Sequence, residues 1–147
     1  MKKLVLTGAA GALGSQLRKP LAAMCDRFVS SDLVGGLDDL APNETYIKAD
    51  VSDLAPMRAL LKDADMVIHF GAIGDEAPWD DILQSNIIGA YNVWEAAYQC
   101  GVKRVIYASS VHAVGMHLKT DTIGLDASHR PDTCLLYTSD AADELSR

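Results

Sequence analysis

The stretch Val5-Leu6-Thr7-Gly8-Ala9-Ala10-Gly11-Ala12-Leu13-Gly14 sets three glycines at fixed spacing directly after an apolar run. That arrangement describes a phosphate-binding turn between a strand and a helix, of the kind that holds a dinucleotide. One glycine permits the tight turn, one lets the backbone come close to a pyrophosphate, and one lets helix and strand pack closely. The pyrophosphate would then meet the positive end of the helix.

A glycine-rich loop without context is compatible with an ordinary turn, so the flanking residues decide. Lys3–Thr7 reads as a buried strand, and residues 12–24 can form a helix with Leu13, Leu17, Leu21 and Met24 along one face. Residues 28–31 read as a second strand that ends at Asp32. A carboxylate about 20 residues past the loop, at the tip of that strand, is placed to accept hydrogen bonds from ribose hydroxyls. Its charge would repel a 2′-phosphate and no Arg follows it directly, which predicts NAD rather than NADP. The other reading of Asp32 is a solvated loop aspartate.

The alternation continues. Residues 35–44 read as a loop, residues 45–49 as a strand closing on Asp50-Val51, and Asp53 can cap a helix running to about Leu61. A fourth strand is expected over residues 66–70, and Pro78 can open a long helix over residues 79–99 that Gly101 ends. A fifth strand is expected over residues 102–108. The order predicts an α/β fold with a doubly wound parallel sheet. Ligands of such sheets lie at the carboxyl ends of the strands, where Gly8, Asp32, Asp50, Gly71 and Ser110 all fall. On the long helix, Trp94 is expected to pack in the core, whereas Trp79 could pack or cover the cofactor site.

The chain has 147 residues, 49% hydrophobic and 22% charged, enough for one domain with its own core. Its net charge of −7 offers no basic face to nucleic acid or to an anionic membrane. Lys2 and Lys3 precede an apolar run, but three glycines interrupt it and Gln16, Arg18 and Lys19 end it, which excludes a secretory signal. No stretch approaches the roughly 20 apolar residues of a membrane span. Cys25, Cys100 and Cys134 have no metal or redox spacing and read as reduced cytoplasmic thiols. None of His69, His112, His117 and His129 has zinc-site spacing, so no metal is expected. His69, inside an apolar strand, reads as a hydrogen-bonded core residue.

The glycine loop, Asp32, Asp50-Val51 and Ala108-Ser109-Ser110 together resemble the extended short-chain dehydrogenase/reductase family, the NAD-dependent epimerases and dehydratases of Rossmann fold. The likeness covers residues 1–133. Pro78 through Asn92, Ser109-Ser110-Val111-His112 and Arg130-Pro131-Asp132 look most like uronate dehydrogenases within it. The resemblance implies oxidation of a hexuronic acid at its anomeric carbon to an aldarolactone, with hydride passing to NAD. It also implies a pyrophosphate cradle of Gly8, Gly11, Ala12, Leu13 and Gly14, ribose binding by Asp32, and adenine binding by Asp50 and Val51. Gly71 and Ala72 would flank the cofactor, and Ser110 would position the reacting oxygen. His112 would contact the substrate carboxylate or a hydroxyl, a helix-cap or core role standing equally open on residue type.

Several departures qualify that picture. Val111 stands where uronate dehydrogenases carry an asparagine, and Gly74 where they carry a serine, so a related polyol acid is also open as the substrate. In this family a lysine four residues after a tyrosine holds it as the phenolate base, yet Tyr137 is followed by Ala141. Cys134 through Glu144 resembles a translated sequencing-library adapter, which predicts a non-native tail over residues 134–147 and a fragment without turnover. Two rival readings remain: a nucleotide-sugar epimerase or dehydratase, and a non-catalytic dinucleotide sensor. The longer form is open to homo-oligomerisation.

Overall fold

A computed structural model describes residues 1–110. Residues Met1–Ile73 and Ala77–Tyr107 form one compact unit. Its elements are β1 (Lys3–Thr7), α1 (Ala12–Ala22), β2 (Arg27–Asp32), β3 (Glu44–Lys48), α2 (Leu54–Leu61) and β4 (Met66–His69). They continue as α3 (Trp79–Ile82), a π-helical turn (Leu83–Ile88), α4 (Gly89–Gln99) and β5 (Arg104–Tyr107). The five strands make one sheet in the order β3-β2-β1-β4-β5, and every pair is parallel. Strand order reverses beside β1, so the switch point lies where the glycine loop leaves the sheet.

Alternate side chains of each strand serve opposite faces. Leu4, Leu6, Phe28, Met66 and Ile68 form a buried cluster with Leu21 and Ala22 of α1. Val5, Val29 and Val67 face the other way, against Met57, Leu60 and Leu61 of α2 and Val93, Ala96 and Ala97 of α4. Strands β1 and β4 are buried on both sides, which explains why they read as continuous apolar runs, whereas β5 is exposed along its length.

Helix α1 departs from the expected pattern. It ends at Ala22 rather than at residue 24, so Met24 lies beyond it and is exposed; Leu13 and Leu17 are exposed too, and the buried face is Gly14, Arg18, Leu21 and Ala22. Two constraints other than apolarity set this rotation. Gly14 must sit against the glycine loop, and Arg18 must reach Glu44 at the start of β3. Arg18 Nε donates to Glu44 Oε1 at 2.7 Å and its Nη2 to Oε2 at 3.1 Å. Ser30 Oγ and Ala41 N complete the carboxylate's partners at 2.6 and 3.0 Å. A buried pair with all these bonds made is tolerated where an isolated charge is not.

The helix expected over residues 79–99 is interrupted by a π turn at Leu83–Ile88. Pro78 stands at its N-cap. Gly101, at φ +69°, ends it with two bonds, Gly101 N to Tyr98 O at 3.1 Å and Val102 N to Ala97 O at 2.9 Å. Trp94 is not a core residue: it is 47% exposed and makes an edge contact with Tyr107 at 5.2 Å between ring centroids. Trp79 is exposed as well. No helix among the described residues is long and apolar enough to cross a membrane.

Candidate functional site

The loop after β1 is built by exclusion of side chains. Gly8 takes φ +75°, a region that favours glycine, and a Cβ there would stand 2.5 Å from Phe70 O and 2.6 Å from Gly71 N. The loop is thus pressed against the chain leaving β4. Ala9 N donates to Ser31 O at 3.0 Å, which ties the same loop to β2. A Cβ at Gly14 would overlap Gly8 O and stand 2.8 Å from Ala9 Cα, so this glycine lets α1 sit directly on the loop. Gly11 differs from both. A Cβ there would meet only Gly8 O, at 3.4 Å.

Gly11 is also the N-cap of α1, in extended backbone, with no side chain capping the helix and no acidic residue in its first turn. The N–H groups of that turn therefore keep their capacity for an anion, supported by the helix dipole. Asp32, the last residue of β2, reaches back to the loop: its Oδ2 accepts from Ala10 N at 2.8 Å and its Oδ1 from Leu33 N at 2.7 Å. Beyond β3, Ala49 N donates to Asp32 O at 3.0 Å, and Asp50 Oδ1 accepts from Ser52 N at 2.8 Å.

These pieces border one cleft of about 330 Å³. Gly8, Gly11, Asp32, Asp50, Val51, Gly71 and Ala72 all line it. Ala12, Leu13 and Gly14 lie outside the lining, the first two exposed on α1 and the third buried against the loop. Ser110 is half-buried, and both it and Gly74 group apart from the compact unit. Val111, His112 and residues 134–147 lie outside the described residues.

Sequence reasoning missed three polar side chains around this cleft. Asn86, in the π turn, accepts from Ile73 N at 2.8 Å through Oδ1 and donates to Ile73 O at 2.9 Å through Nδ2. Ile73 and Ser85 both line the cleft. Asn92, in α4 and 7% exposed, donates from Nδ2 to Val51 O at 3.1 Å. For Asn92 the available signal was an asparagine among Ala90, Val93, Ala96 and Ala97 of α4, where a buried amide needs a partner.

The third is Thr7, whose Oγ1 lies 2.6 Å from His69 Nδ1. His69 Nε2 is buried without a polar partner among the described residues, and the ring stacks obliquely on Tyr107 at 5.6 Å. Burial pushes the His69 pKa down to about 4, so the ring is neutral at physiological pH. No group of three or more His, Cys, Asp or Glu that could hold a metal is found among the described residues.

The sequence matches the NAD dependent epimerase/dehydratase family over residues 4–134. It is 39% identical over 131 residues to a uronate dehydrogenase of Pseudomonas putida, covering 89% of this chain and 49% of that protein. It is 42% identical over 132 residues to a uronate dehydrogenase of Agrobacterium fabrum, covering 90% and 49%. Among solved structures, a mutant uronate dehydrogenase of Agrobacterium tumefaciens complexed with NAD superposes with a TM-score of 0.81 at 39% identity, covering 99% of this chain and 54% of that one. The chain spans about half the length of the curated relatives it matches. With its parallel five-stranded sheet, its glycine loop at the switch point and a family match over most of its length, this chain belongs to the NAD-dependent epimerase/dehydratase family.

Proposed function

We propose that this chain carries the NAD-binding part of a dehydrogenase that oxidises a hexuronic acid at its anomeric carbon to an aldarolactone. The observation that carries the cofactor reading is the convergence of Gly8, Gly11, Asp32, Asp50, Val51, Gly71 and Ala72 on one cleft. The residues fit the group. Gly8 and Gly14 are required by protein packing, but nothing in the protein crowds a Cβ at Gly11, so the glycine there suits a ligand that comes close. The uncapped first turn of α1 would receive the pyrophosphate with the N–H groups of Ala12, Leu13 and Gly14. Asp32 would accept the ribose hydroxyls and disfavour a 2′-phosphate, and Asp50 with Val51 would receive the adenine.

When bound, NAD supplies the acceptor for a hydride. Ser110 would hold the reacting hydroxyl, and His112 would contact the sugar acid. The sugar-acid substrate rests on the identity to two uronate dehydrogenases, 39% and 42%. No tyrosine in the sequence is followed by a lysine four residues on: Tyr46, Tyr91, Tyr98, Tyr107 and Tyr137 are followed by Asp50, Glu95, Val102, Val111 and Ala141. The phenolate base of this chemistry therefore has no counterpart within these 147 residues, and residues 134–147 are proposed to be a non-native tail after a cofactor-binding domain over residues 1–133.

The assay is NADH formation from glucuronate or galacturonate by the 147-residue protein, beside a version in which an uninterrupted reading frame continues past Thr133. Oxidation by the longer protein alone is expected. Turnover by the short chain would refute its catalytic incompleteness, and binding of NAD without turnover by either would favour a non-catalytic dinucleotide sensor.

A further inference from the structure

Two residues of α4 meet the cleft's rim from behind, although neither lines it. Val51 stands beyond β3 with its side chain between two glycines. A Cβ on Gly89 would lie 2.6 Å from Val51 Cγ2 and 3.2 Å from its Cβ, and a Cβ on Gly71 would lie 3.1 Å from its Cγ1. The Val51 carbonyl is held in turn by Asn92 Nδ2 at 3.1 Å, from a side chain that is almost fully buried. Gly89 and Asn92 are three residues apart, so they occupy one face of the helix. The rim at Asp50-Val51 is thereby fixed by a helix that contributes no atom to the cleft's surface at that point.

We propose that Asn92 and Gly89 are positioning residues that set the Asp50-Val51 edge and so the protein's choice of base. This rests on the reading that the cleft takes NAD with its adenine at Asp50 and Val51. A carboxylate acceptor beside a main-chain N–H donor complements the exocyclic amino donor and the ring-nitrogen acceptor of adenine. Hypoxanthine reverses both, offering a carbonyl and a ring N–H, so the same edge discriminates against it. Discrimination of this kind depends on the edge staying within hydrogen-bonding distance of the base, and a buried amide locked to the Val51 carbonyl supplies that rigidity.

The test is the ratio of dissociation constants for nicotinamide hypoxanthine dinucleotide and NAD, measured by calorimetric titration. The two ligands differ only in the base, so loss of stability or damage elsewhere in the cleft scales both constants and leaves the ratio in place. The intact protein is expected to prefer NAD by about tenfold or more, the scale of one hydrogen-bonding edge matched or mismatched. Asn92→Leu, which fills the same space without a donor, should bring the ratio close to unity. Gly89→Ala should do the same by displacing Val51. This second variant keeps the test decisive if Asn92→Leu does not fold. An unchanged ratio in Asn92→Leu and Gly89→Ala would overturn the proposal, as would equal binding of the two dinucleotides by the intact protein. If the intact protein binds neither dinucleotide, the cofactor reading itself fails, an outcome distinct from both.

Discussion

Asp32 Oδ2 accepts a hydrogen bond from Ala10 N at 2.8 Å, joining the tip of β2 to the middle of the glycine loop. The carboxylate proposed to bind the ribose thus also braces the loop proposed to bind the pyrophosphate. Replacing Asp32 should affect both. Asp32→Asn keeps an acceptor for Ala10 N but removes the charge, and should weaken NAD binding about tenfold while narrowing its advantage over NADP. Asp32→Ala, which also frees the loop, should weaken NAD further. Titration of both dinucleotides checks this; an unchanged preference for NAD in Asp32→Ala would contradict it.

The three glycines separate by what crowds them. Gly14→Ala forces a methyl into Gly8 O and Ala9, and should cost about 1–3 kcal/mol of stability. Gly11 has ordinary negative φ and only one neighbour at 3.4 Å, so Gly11→Ala should cost no more than about 1 kcal/mol, the preference of an N-cap for glycine over alanine. Chemical denaturation of the two variants beside the parent measures the contrast.

The Arg18–Glu44 pair should dominate the stability of the α1 side of the sheet. Burial alone would push the Glu44 carboxyl up, but bonds from Arg18, Ser30 and Ala41 outweigh it and hold the pKa below the usual carboxylate value. A depressed folded pKa means this stabilisation is present above the unfolded value and is lost as pH falls through the folded one. Arg18→Met leaves the carboxylate buried without its cation and should cost about 3–5 kcal/mol at neutral pH. Denaturation of the variant should show a smaller loss at acid pH, where Glu44 is protonated in either protein.

His69 provides a second acid-sensitive group. Its folded pKa near 4 lies below the ordinary value of 6.5, so the unfolded chain takes up a proton first as pH falls. The contribution is fully present above about pH 6.5 and is lost progressively toward pH 4, up to about 3 kcal/mol. Stability measured across that range should fall more steeply for the parent than for His69→Gln. Parallel curves would show that the ring is accessible to protons in the folded state.

The central strands, the loop and the position of Asp32 were legible because each rests on local chemistry: in β1 and β4 apolar runs buried on both faces, glycines that a turn requires, and a carboxylate at a strand tip. The buried face of α1 was not. Apolar periodicity selects Leu13, Leu17, Leu21 and Met24, whereas the helix is turned by Gly14, which has no side chain, and by Arg18, whose partner Glu44 lies 26 residues away. The π turn and the asparagines in and beyond it were hidden for a similar reason. Asn86 and Asn92 are held in place through main-chain groups of Ile73 and Val51, and neither partnership has a sequence spacing that could announce it.

The most direct measurement is calorimetric titration of NAD into the 147-residue protein and into Gly11→Val, with melting temperatures recorded for both. The cofactor account predicts saturable one-to-one binding by the parent, and its loss in a variant whose added side chain projects where only a ligand would come close. Absence of binding by the parent, or equal binding by a folded Gly11→Val, would contradict it.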